Sequence, residues 1–110
     1  MTDELQQRIH DAMAACRAIL DFTTTASFES YTNDLLLRSA VERQFEILGE
    51  ALNHADKLDL NISEKLPDLP RIVGMRNRII HGYDAVDDEI IWDAVQHYVP
   101  PLLKDLIELS

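Results

Sequence analysis

The run "RNRIIHGYD", residues 76 to 84, gathers most of the side chains here that could do chemistry. Arg76, Arg78 and His81 fall close together, and Gly82, Tyr83 and an acid follow. An arginine fork binds two oxygens of one phosphate at once. An imidazole titrates near neutral pH and carries a proton in either direction. Asn77 donates and accepts hydrogen bonds. These are the parts for cutting RNA through its own 2′-hydroxyl without a metal. One imidazole removes the hydroxyl proton, an acid protonates the leaving 5′-oxygen, and an arginine stabilises the charge of the phosphorane. The same residues also have a plainer reading. Arg76, Arg78 and His81 suit the negative end of a helix dipole, Gly82 stops the helix, and Tyr83 packs on the bundle end. Spacing alone leaves both readings open.

Geometry sets a condition on the first reading. Five residues along an α-helix advance about 500°, so Arg76 and His81 stand ~140° apart around the axis. They converge only if His81 leaves the helix, or if a cleft takes them from different angles. A symmetric pair of chains meets that condition. It would offer two arginines and two histidines, one imidazole acting as base and the other as acid.

The elements that must hold this stretch read as helices. Residues 3 to 21 carry Leu5, Ile9, Ala12, Met13, Cys16, Ile19 and Leu20, one apolar stripe. Ser27 is the expected N-cap of a second helix from about Phe28 to about Ala55. Its stripe is Tyr31, Leu35, Val41, Phe45, Leu48, Leu52 and Ala55, widened by Leu36, Leu37, Ala40, Ile47 and Ala51. So broad an apolar surface fits a central helix, or one also buried against a second subunit. A proline-containing connection leads to a third helix over Leu69 to Ile80, capped by Asp68 and stopped by Gly82. Asp87 caps a fourth, which Pro100 and Pro101 should kink or split. No alternating strand pattern of useful length occurs. The expectation is all-α: a single domain over residues 1–110, an antiparallel bundle of four to five helices.

Bulk properties narrow the chemistry further. The chain has 110 residues and a net charge of −10, so its overall field repels nucleic acid. A polyanion must be held by a local cationic site. His10, His54, His81 and His97 have no metal-ligand spacing, and no metal or cofactor is expected. Cys16 is the only cysteine. It is expected to be a buried hydrophobe of the first helix. The acidic, polar N-terminus does not read as a signal peptide and no apolar run spans a membrane, so the expected location is the cytoplasm. Arg43, Glu46 and Glu50 share one face of the second helix. They read as an ion-pair ladder, or as a shell that orients Arg76 or closes a cleft between two copies. Trp92 is expected in the core or an interface.

At these residues the sequence resembles the HEPN superfamily, and within it the HepT-like toxins. "GMRNRIIHGY" carries R-x-x-x-x-H-x-Y as Arg76, His81 and Tyr83. "AVERQFEILGEAL", residues 40 to 52, and "VDDEIIWDAV", residues 86 to 95, resemble the flanking signatures. The resemblance implies an all-helical homodimer acting as a metal-independent endoribonuclease toxin. Arg76 would then stabilise the phosphate transition state, His81 would do acid–base work, and Asn77 would support them. It also implies a nucleotidyltransferase antitoxin of the MntA type that transfers AMP to Tyr83. Asp84, Asp87, Asp88 and Glu89 are an expected face for such a partner. The rival reading is a dimer that binds RNA or a nucleotide, or serves the nucleotidyltransferase, without cleaving anything.

Overall fold

The computed structural model describes residues 1–81 and 86–110. Its described residues contain helices and no strand. The helices run α1 (Asp3–Phe22), α2 (Phe28–Thr32), α3 (Leu35–Leu58), α4 (Ile62–Lys65), α5 (Leu69–His81), α6 (Asp88–His97) and α7 (Val99–Leu109).

Local chemistry explains most of these boundaries. Thr2 caps α1, its hydroxyl accepting from the Leu5 N–H at 3.2 Å. Ser27 caps α2 through a reciprocal box with Ser30. The expected single helix from Phe28 to Ala55 is in fact two. Asn33 ends α2, its amide donating to the Glu29 carbonyl at 2.9 Å. Asp34 then restarts the chain as the α3 N-cap, accepting from the Leu37 N–H at 3.0 Å. Asn and Asp compete with the helix for backbone partners in this way. Leu35, expected in the stripe, and Leu36, part of the broad apolar surface beyond it, lie about 120° and 140° around α3 from buried Val41 and are 68% and 80% exposed in the single chain. Pro100 and Pro101 split the last helix at Tyr98, as expected, because the first turn of α7 needs no proline N–H. The connection after α3 contains the short helix α4, which the sequence reading did not foresee. Ile62 and Leu66 anchor it in the core with no exposed surface.

α1 and α3 form the main packing layer. α7 packs on α1, α5 on α3, α6 on α7, and α2 on both α3 and α6. Ile9, Ile19, Phe45, Leu48, Leu52, Ile72, Leu102 and Leu106 are fully enclosed between them. Each contributes about 1.5–3 kcal/mol of transfer free energy. Cys16 is buried here too, and burial pushes its thiol up to about 12 despite neighbouring Arg17. Trp92 packs on buried Tyr31, ring centroids 5.4 Å apart.

Candidate functional site

α5 positions the cationic stretch. Leu69, Ile72 and Met75 are its buried residues, which fixes its rotation against α3. That rotation turns Arg76 inward. Its aliphatic stem lies against Gly49 of α3, at the one place where the neighbouring helix has no side chain. A Cβ built on Gly49 would sit 2.4 Å from Arg76 Cβ and 2.7 Å from Cγ. Arg76 is therefore half-buried, and its Nε is enclosed with no acceptor among the described residues. Its terminal nitrogen donates to Asn77 Oδ1 at 3.1 Å. The side chain is thus seated by its stem in a groove cut into α3, while its guanidinium is tied to an amide.

Gly49 was not singled out from sequence. A lone glycine inside a strongly helical run is a signal for close backbone approach, because it costs about 1 kcal/mol against alanine.

His81 is the last residue of α5 and is exposed. The helix stays regular up to it, so the ~140° divergence from Arg76 stands. His81, Asn77 and Arg78 line a groove of about 530 Å³ between the end of α5 and the start of α6, with Val86, Asp87 and Ile90 opposite. Arg76 does not line this groove. Asn77 joins the two sides, since it accepts from Arg76 and faces the groove with His81.

The remaining candidates separate cleanly. Tyr83 and Asp84, like the stop expected at Gly82, lie outside the described residues. Arg43 pairs with Glu46 at 3.1 Å within α3, and Glu50 lies 3.9 Å from His54. Among the described residues none of the three makes a hydrogen bond or ion pair with Arg76. Asp87 is occupied as the α6 N-cap, accepting from the Glu89 N–H at 2.9 Å. Asp88 is half-buried, near Glu42 and Tyr31. Burial first, and then Asp88, raises the pKa of Glu42, while Arg38 opposes the shift. Of the four acids expected to face a partner, Asp87 thus also caps α6, and it and Glu89 are exposed. Among the described residues no three His, Cys, Asp or Glu side chains cluster as a metal site. No helix among them is long and apolar enough to cross a membrane.

The ribonuclease HepT-like family model matches residues 12–109, a span that contains α3, α5 and the whole Arg76–Tyr83 motif. The chain belongs to the HepT-like family. Its relatives include "Putative RNase MJ1380" of Methanocaldococcus jannaschii, 30% identical over 89% of each chain. "Putative RNase TTE0752" of Caldanaerobacter subterraneus is 33% identical, over 86% of this chain and 83% of its own. "Probable ribonuclease HepT" of Thermococcus cleftensis is 30% identical, over 86% and 84%. No solved structure matches at a significant level. Within this HepT-like chain, the motif arginine and histidine sit on one continuous helix and face different ways.

Proposed function

We propose that the chain is a metal-independent endoribonuclease toxin of a toxin–antitoxin pair. The observation that carries this is the anchoring of Arg76. A half-buried arginine, its stem seated on Gly49 and its guanidinium tied to Asn77, is a positioned phosphate ligand in an otherwise acidic molecule. His81 stands exposed at the end of the same helix, where it can exchange protons with a substrate. Because the two diverge around α5, the cleft is made by two copies of the chain, each offering one arginine and one histidine.

In that cleft one imidazole takes the proton from a 2′-hydroxyl. The oxygen attacks the adjacent phosphorus, and the bond to the 5′-oxygen breaks. The second histidine, protonated, gives its proton to that oxygen, leaving a 2′,3′-cyclic phosphate and a free 5′-hydroxyl. Arg76 neutralises the extra charge on the phosphorane. Family membership and the ribonuclease names of the relatives support this reading. The off-switch is AMP transfer to Tyr83 by a nucleotidyltransferase antitoxin, whose added phosphate would compete with RNA for the arginine.

The test combines two measurements. Arg76→Ala and His81→Ala should each lower RNA cleavage by at least about 100-fold while leaving helicity and mass in solution unchanged. Intact mass after incubation with a nucleotidyltransferase partner and ATP should show added AMP on Tyr83, with cleavage lost in step. Variants that cut as well as the parent would end the ribonuclease reading. An unmodified Tyr83 beside an active partner would end the proposed off-switch alone.

A further inference from the structure

α5 is a cationic helix in an acidic chain. It carries Arg71, Arg76 and Arg78 and no carboxylate, whereas the chain has 20 acidic residues against 10 Lys and Arg. Arg76 is turned towards α3. Arg71 and Arg78, seven residues apart, lie within ~20° of each other around the axis and ~10.5 Å apart along it. Both are exposed. They line a second groove of about 420 Å³ between α5 and α6, with Gly74 on its floor and Ile90, Asp93 and Tyr98 on its far side. The two grooves run together, since Met75, Arg78 and Ile90 line both. A continuous track therefore leads from His81 to Arg71, ~15 Å along the helix.

Gly74 sits midway between the two arginines. Among the described residues a Cβ there would meet nothing within 4 Å, and its backbone is not left-handed. Neither packing nor conformation calls for glycine, and alanine would favour the helix. What glycine does give is a bare backbone floor that lets another chain lie close. Arg71 is already ordered. Its guanidinium lies 4.2 Å from the Tyr98 ring centroid and donates to the Tyr98 hydroxyl. Its outer face is left for a base to stack on, and its free N–H groups for a phosphate. Among the described residues the one carboxylate lining this groove, Asp93, has His97 3.7 Å away.

We infer that Arg71, Gly74 and Arg78 form a subsite for single-stranded RNA, extending the strand held at His81 along the length of α5. The inference rests on the ribonuclease reading for the origin of the strand. Its test measures binding rather than cleavage. In a His81→Ala background, fluorescence anisotropy with a labelled single-stranded RNA oligonucleotide is followed against salt. Adding Arg71→Ala should raise Kd about tenfold and reduce the slope of log K against log salt by about 0.7, the share of one phosphate contact on a single strand. Adding Gly74→Leu should raise Kd comparably with no change in charge, and circular dichroism should show its helices intact. Lys104→Ala, an exposed cation on α7, should leave Kd unchanged.

Unchanged affinity in both groove variants overturns the subsite. So does Gly74→Leu if it alters mass by light scattering but not RNA affinity, for then a second copy covers this face. A parent that binds RNA through Arg71 but never cuts it keeps the subsite and loses the ribonuclease reading. A parent that cuts RNA while both groove variants bind normally does the reverse.

Discussion

Replacing Gly49 with alanine adds one methyl group where α3 meets α5. The new carbon would lie 2.4 Å from Arg76 Cβ, an atom fixed to its own backbone. It cannot swing aside, so the helices must part. Restoring ordinary carbon contact of ~3.8 Å needs about 1.4 Å of separation (3.8 − 2.4). Overpacking of this kind costs about 1–3 kcal/mol, and alanine's helix preference returns about 1 kcal/mol. The expected net loss is about 1 kcal/mol, or ~4–8 °C in Tm for a domain of this size. Gly74→Ala makes the same chemical change on a helix surface where a Cβ meets nothing. It should gain up to ~1 kcal/mol. The propensity term is common to both, so the difference between the two variants isolates the packing cost at about 1–3 kcal/mol. Paired thermal and urea melts in one buffer measure it. Cleavage by Gly49→Ala should fall about 100-fold, because Arg76 moves by an ångström or more. Equal stability shifts in the two variants would refute the reasoning, as would full activity in a Gly49→Ala protein of lowered Tm.

Three other outcomes follow from buried groups. Glu42 has a raised pKa, so the native state holds its proton more tightly than the unfolded chain. Its contribution to stability is fully present below the unfolded carboxyl value of about 4.3 and is lost as pH rises through the native one. Glu42→Gln should therefore raise Tm at pH 7, with the gain shrinking as pH falls towards that value; a gain that grows in acid would contradict the sign. Cys16, with its thiol pushed up to about 12 and no exposed surface, should resist a maleimide at pH 8 in the native protein and react at once in urea; mass spectrometry reads both. The Tyr31 hydroxyl is buried without a partner among the described residues, so Tyr31→Phe should be neutral or stabilise by up to about 1 kcal/mol in urea melts. A loss of more than 2 kcal/mol would show that the hydroxyl is bonded after all.

Interactions within one or two helical turns were legible in the sequence. The Ser27 and Asp87 caps, the split at Pro100 and Pro101, and the stripe of α1 all depend on neighbours a few residues away. The same locality made the divergence of Arg76 and His81 calculable before any packing was known, because a regular helix fixes angles by residue count. The break at Asn33 and Asp34 is equally local, yet the apolar residues around it hid it. Their periodicity read straight through a pair of residues whose side chains compete for the backbone.

Which helix face meets which was settled by the tertiary structure. Position 49 meets position 76 only because α3 and α5 pack, and nothing within either helix announces the other. The sequence supplied an unexplained glycine and a reactive arginine; packing made the first the seat of the second. The exposure of Leu35 and Leu36, the anchoring of α4, and the pairing of Arg71 with Tyr98 have the same origin. Contacts distant along the chain depend on how whole helices rotate to bury their stripes together, and that choice is made by the core as a unit.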